Sequence, residues 1–98
     1  MKVDFIEETE DFVNNLNLSD KTRVYRVRDV FQEIGFSIGP KYVKKISGKG
    51  IWELRAGRIR LFLYIRGEQA ICIHSIYKKS QKLHNRDIKL AEKRSKQL

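Results

Sequence analysis

Residues 51–77 read IWELRAGRIRLFLYIRGEQAICIHSIY, and the glycines divide this stretch into short runs. Residues 51–56, 59–66 and 69–77 are rich in Ile, Leu, Phe, Tyr and Trp. Between them, Gly57-Arg58 and Gly67-Glu68 suit two-residue hairpin turns, in which glycine supplies a positive φ. The stretch is therefore expected to form an antiparallel meander. With both loops two residues long, position 55 lies opposite 60, 54 opposite 61 and 52 opposite 63, while 61 faces 74 and 63 faces 72. One face then collects Trp52, Leu54, Ile59, Leu61, Leu63, Ile65, Cys72, His74 and Ile76. That set is almost wholly apolar, and a one-residue slip on any strand would break the segregation, so the pattern supports the register.

The opposite face carries Glu53, Arg55, Arg60, Phe62, Tyr64, Ile73, Ser75 and Tyr77, with Lys79 where the strand ends. Arg55 and Arg60 become direct cross-strand neighbours, and like charges so placed destabilise a sheet by about a few tenths of a kcal/mol. Something must compensate. In one reading Glu53 pairs with an arginine and the arrangement is structural. In the other, the two guanidinium groups and Lys78 or Lys79 make a preformed anion site, since guanidinium forks match phosphate oxygens and repel each other less once an anion bridges them.

Upstream, Phe5, Thr9, Phe12, Val13 and Leu16 recur at helical spacing with acids gathered in the first turns, which predicts a helix from about 5 to 17. Ser19 or Asp20 can cap a second helix along Val24, Val27, Phe31 and Ile34, with Gly35 as its stop. These two helices are expected to form an αα-hairpin over the apolar face of the meander, with Arg23, Arg26 and Arg28 on a solvated face. Residues 36–40 read as a loop, 42–46 as a short strand and 47–50 as a turn. Downstream, Asn85 can cap a last, basic helix whose narrow apolar stripe of Ile88, Ala91, Ser95 and Leu98 suggests loose docking. The expected class is α+β in a single domain over residues 1–98, because a chain of 98 residues leaves little room for a second core.

Composition limits the function. The net charge of +9 is uneven: residues 1–20 sum to −5 and residues 21–98 to +14. A field of that sign attracts polyanions without distinguishing RNA, DNA, acidic lipid or an acidic protein. No apolar run approaches the roughly 20 residues of a membrane span, and no basic-then-apolar start marks a secretory signal. The single cysteine, Cys72, fits a reducing compartment, so a cytoplasmic location and no membrane partner are expected. With two histidines and no acidic cluster among the basic residues, neither a metal site nor a cofactor is expected. His74 projects into the apolar set and reads as a core histidine. His84 sits in a basic segment, either as an ordinary surface residue or as a proton carrier. From Lys78 to Lys96 eight basic residues stand against Asp87 and Glu92, beside Tyr77 and His84, whose rings can stack on an unpaired base. Single-stranded RNA is favoured over duplex DNA.

The order of Ile51-Trp52-Glu53-Leu54-Arg55, Arg60-Leu61-Phe62 and Ile73-His74-Ser75-Ile76-Tyr77-Lys78-Lys79-Ser80-Gln81-Lys82, then Asp87-Ile88, Ala91 and Lys93-Arg94, resembles the phage-derived, HigB-like branch of the RelE-type toxins. Upstream, Gly35-Phe36 and Tyr42-Val43-Lys44-Lys45-Ile46 fit the same pattern, so the likeness covers roughly residues 8–98. The resemblance implies the toxin of a toxin–antitoxin pair: a metal-free endoribonuclease that cuts mRNA, usually in the ribosomal A site, and is neutralised by a helix-turn-helix antitoxin. It matches Arg55 and Arg60 to the family's sheet arginines, and Lys78 and Lys79 to its paired lysines. The expected catalytic set is Arg55, Arg60, Tyr77, Lys78, Lys79 and His84. Arg58, Gln81, Lys82, Arg86 and Lys89 are candidate RNA contacts. The sequence departs from the family in two places. Only Met1 to Asp4 is available for the strand that usually precedes the first helix, and His84 stands where a proline is common. Two other readings use the same basic surface: a non-catalytic RNA-binding module, and a regulator whose last helix docks on a protein partner or DNA.

Overall fold

The computed structural model describes residues 1–78 and 83–98. Its elements run β1 (Lys2–Phe5), α1 (Glu7–Asn14), α2 (Leu18–Ile34), a 3₁₀ turn (Gly35–Ile38), β2 (Val43–Ser47), β3 (Ile51–Ala56), β4 (Ile59–Arg66), β5 (Gln69–Tyr77) and α3 (Asn85–Ser95). The fold is α+β. One five-stranded sheet has the order β1-β5-β4-β3-β2, with β1 parallel to β5 and the other pairs antiparallel.

The chain opens with a strand, not with the expected helical hairpin, and Phe5 belongs to that strand opposite Cys72. The reason is local to α2. Gln32 accepts at its Oε1 from the Val3 amide at 3.0 Å, and its carbonyl accepts from the Met1 ammonium at 2.8 Å. The outer edge of β1 is thus satisfied by a helix rather than left open. The start of α2 also differs from expectation. Asn17 is the cap and accepts from the Asp20 amide at 2.8 Å, which releases the Asp20 side chain for another partner. Gly35 closes α2 at φ +56°, as its position predicts.

Two cores lie on the two faces of the sheet. Val13 of α1, Leu16 of the link that follows it, and Val24 and Phe31 of α2 bury Leu54, Ala56, Ile59, Leu61, Leu63 and Cys72, which is the expected main core. Burial pushes the Cys72 thiol up to about 11, so it behaves as a small hydrophobe. The second core joins Ile51, Phe62, Ile71 and Ile73 to Ala91 of α3, with Leu83 and Ile88 packed against it. The expected loose docking of the last helix is therefore corrected. Ser47 Oγ donates to Glu92, and Arg94 Nη1 donates to the Ile73 carbonyl at 2.7 Å, so polar contacts flank the apolar one. His84, not Asn85, occupies the cap position of α3, and its side chain makes no capping hydrogen bond. No helix among the described residues is long and apolar enough to cross a membrane.

The first hairpin has the expected register, with Arg55 opposite Arg60, Leu54 opposite Leu61 and Trp52 opposite Leu63. The second does not keep it. Leu63 faces Cys72, but Phe62 faces His74 and Leu61 faces Ser75, because Ile73 is an extra residue in a β-bulge. From that point every side chain of β5 changes face. His74 and Ile76 move to the face of Arg60 and Phe62, while Ser75 and Tyr77 move to the face covered by α1 and α2. The Ile73 carbonyl at the bulge is the one that Arg94 reaches, so α3 supplies a hydrogen bond where the ladder is disrupted.

Candidate functional site

The sheet face opposite α1 and α2 is covered by α3 over its apolar half, and its polar half lies toward the β3–β4 turn. Pairing sets two cross-strand rows there. Lys44, Glu53, Phe62 and His74 form one, and Arg55, Arg60 and Ile76 form the next. Alternation along β3 places Glu53 and Arg55 on the same side two residues apart, within reach of one another.

Glu53 is the hub of these rows. Its side chain is fully buried, its Oε1 accepts from Arg55 Nε at 3.0 Å, and Arg60 Nε lies 4.0 Å from the same oxygen. The like-charge contact between the arginines is therefore compensated by a carboxylate, as the structural reading expected. The arginines differ in freedom. Arg60 is 13% exposed and its Nη1 donates to the carbonyls of Gly57 (2.6 Å) and Ile59 (3.2 Å), whereas Arg55 is 33% exposed. Burial lowers the affinity of the Arg60 guanidinium for its proton, with Glu53 opposing that shift and Arg55 adding to it. It remains charged, as arginine does in proteins.

At the end of the first row the His74 ring packs tilted against Phe62, ring centroids 5.1 Å apart, and its Nε2 lies 2.9 Å from Asp87 Oδ1 in the first turn of α3. A carboxylate on one ring nitrogen sets the tautomer and the orientation of the ring. Both side chains keep 13–15% of their surface exposed. His74 is thus not the core histidine expected from strict alternation. A lone imidazole in an otherwise apolar row was the available signal of a bulge. Lys44 and Asp87 were also missed. Lys44 reaches this face only through the β2–β3 pairing, and Asp87 only through the docking of α3.

The remaining expected residues are spread more widely. Tyr77 lies on the opposite face, its ring 5.5 Å from that of Phe12 with the Arg58 guanidinium 5.2 Å above it, so the structure does not bring it to the arginine pair. Arg58 is held by Asp20, Nη2 to Oδ2 at 2.8 Å and Nε to the same oxygen at 3.1 Å. Lys78 follows β5 directly, and its amide donates to the Arg58 carbonyl at 2.8 Å. His84, Arg86 and Lys89 are exposed at and along the first turns of α3. Lys79, Gln81 and Lys82 lie outside the described residues.

The Asp20–Arg58 pair joins the start of α2 to the β3–β4 turn and gives an acid-sensitive contact. The Arg58 hydrogen bond holds the Asp20 carboxyl below its ordinary value of 3.8, against the opposing effect of burial. A depressed folded-state value stabilises the protein above the unfolded-state pKa, and the contribution is lost as pH falls through the folded value. Urea unfolding from pH 6 to pH 2.5 is expected to show stability falling below about pH 4, and Asp20→Asn is expected to flatten that part of the profile. An unchanged slope in the variant would assign the acid sensitivity to other carboxylates.

A search of the curated proteins finds no match. The family described as Phage derived protein Gp49-like (DUF891) matches residues 11–96, a span that leaves out β1 and takes in α2, the four antiparallel strands, the arginine pair and all of α3. The match covers most of the chain, and the protein belongs to this phage-derived Gp49-like family.

Proposed function

We propose that this protein is the toxin of a type II toxin–antitoxin pair, in the HigB-like branch of the RelE-type toxins. In this reading it is a metal-independent endoribonuclease that cuts mRNA in the ribosomal A site in the cytoplasm and is neutralised by a helix-turn-helix antitoxin. The observation that carries the reading is the pair of guanidinium groups at Arg55 and Arg60, opposite one another and sharing one buried carboxylate on a face bordered by α3. Membership of a phage-derived Gp49-like family, and the order of motifs that resembles HigB-like toxins, support it.

Cleavage by the adjacent 2′-hydroxyl has three requirements. A base must take the hydroxyl proton, cations must stabilise the dianionic phosphorane, and an acid must protonate the departing 5′-oxygen. Arg55 and Arg60 are suited to the second task, with Lys44 and Lys78 adding positive potential. His74, oriented by Asp87, is the imidazole on this face placed to move a proton, and exposed His84 is the second candidate. Tyr77 is dropped from the chemistry because its ring packs against Phe12 on the other face. Exposed Arg86 and Lys89 on α3, like Lys79, Gln81 and Lys82, would contact the RNA backbone. The ribosome would hold the mRNA in the strained geometry that in-line attack requires.

Induced expression in bacteria with mapping of mRNA 5′ ends tests the reading. Growth arrest with new ends inside codons is expected, and both should disappear with Arg60→Ala in protein that remains folded by circular dichroism. Unchanged cutting by Arg60→Ala would remove the arginine pair from the site. RNA binding without cutting, on and off ribosomes, would favour the non-catalytic RNA-binding module.

A further inference from the structure

We infer that Glu53 is a positioning residue, a buried counter-charge that aims the Arg55 fork at a phosphodiester and holds the arginine pair to one net positive charge. The inference rests on the nuclease reading above and adds a residue that never meets the RNA.

The geometry is not that of an ordinary structural ion pair. Glu53 is 1% exposed, and among the described residues neither its Oε2 nor the buried Arg60 Nε nearby has a hydrogen-bond partner. A buried carboxylate kept for stability alone is normally satisfied at both oxygens, because each unmet acceptor costs about 1–3 kcal/mol. Here a single oxygen serves two cations, and the second meets no donor among the described residues. Glu53 also holds Arg55 by Nε, so the terminal Nη groups that match two phosphate oxygens stay outside that contact. The neighbouring groups fit this division of roles. Arg60 is tied back to the β3–β4 turn through Gly57 and Ile59 and supplies fixed charge, while half-exposed Arg55 supplies the directed donors.

This assignment predicts effects of opposite sign that a merely structural glutamate would not produce. Glu53→Gln keeps the shape and removes one negative charge close to both guanidinium groups, so anion affinity should rise while orientation of the fork is lost. The test uses the full chain in two assays. In the first, inorganic phosphate is titrated while the arginine Nε–Hε NMR signals are followed. E53Q is expected to bind phosphate about three- to tenfold more tightly than the unaltered protein, the size of one unit charge at this range in an aqueous setting. In the second, single-codon cleavage is measured on programmed ribosomes, where kcat is expected to fall about 10²-fold with KM unchanged or lower. Glu53→Asp keeps the charge but shortens the reach by one methylene. It should therefore return phosphate affinity to the original value while cleavage stays slow, and it keeps the proposal testable if E53Q does not fold.

Weaker or unchanged phosphate binding in folded E53Q would overturn the inference. So would cleavage by E53D at the original rate, or a loss in E53Q that appears wholly in KM. If the unaltered protein cuts nothing on ribosomes, the nuclease reading fails, and the phosphate titration alone decides whether Glu53 tunes an anion site.

Discussion

Arg55→Ala is expected to lower the single-turnover rate of mRNA cleavage on programmed ribosomes by about 10²–10³-fold, the usual consequence of removing one preorganised donor from a developing oxyanion. Arg55, rather than Arg60, should carry the largest directional effect, because Arg60 has its Nη1 committed to the Gly57 and Ile59 carbonyls while Arg55 is the more exposed of the two. The alanine variant also strips buried Glu53 of its 3.0 Å partner, so some loss of stability accompanies the loss of rate. Arg55→Lys separates the two effects. Lysine restores a cation beside Glu53 but not the planar fork, and at a bidentate site that exchange is not conservative. The expected outcome is near-original thermal stability with cleavage still reduced at least tenfold. A lysine variant that cuts at the original rate would leave Arg55 as a structural partner of Glu53 and move the anion site elsewhere on the face.

The part of this arrangement that was legible in the sequence is the part governed by local rules. Gly57-Arg58 and Gly67-Glu68 set two-residue loops, and period-two alternation around them placed Arg55 opposite Arg60, as the structure has them. The α1 and α2 core was readable for the same reason, since Val13, Leu16, Val24 and Phe31 recur at helical spacing. The bulge at Ile73 had one mark only, the imidazole in an apolar row, because Ile-Cys-Ile-His-Ser-Ile contains no glycine or proline to signal it and its stabilising contact comes from Arg94, 21 residues away. That one residue exchanged the faces of His74 and Tyr77, bringing an assumed core histidine to the face of the arginine pair and an assumed site tyrosine into packing against Phe12. Asp20 shows the same limit at smaller scale. As an acid at the start of a helix it reads as a cap, yet Asn17 caps and Asp20 binds Arg58 across 38 residues of sequence.

Phe62→Ala is expected to have the largest effect on stability, because Phe62 lies at the centre of the face that supports the site. It is wholly buried, pairs in register with Glu53 on one side and His74 on the other, and packs in the core that α3 closes through Ala91. Truncating a phenylalanine in such a position costs about 3–5 kcal/mol, a large share of the roughly 5–15 kcal/mol that holds a domain of this size together. The melting temperature should fall by more than about 10 °C in calorimetry. Phe31→Ala in the other core provides the control, since Phe31 is equally buried but belongs to α2 and packs on the opposite face of the sheet. Both variants should lose global stability, but only Phe62→Ala removes the floor beneath α3. Native-state amide exchange of α3 should therefore accelerate beyond the global loss in Phe62→Ala and only in parallel with it in Phe31→Ala. His74 would lose the ring it packs against and Asp87 the helix register that holds it, so cleavage by the folded fraction should fall as well. Equal acceleration of α3 exchange in the two variants would show that the two faces of the sheet unfold as one unit, and would detach the fate of the His74–Asp87 pair from the packing of Phe62.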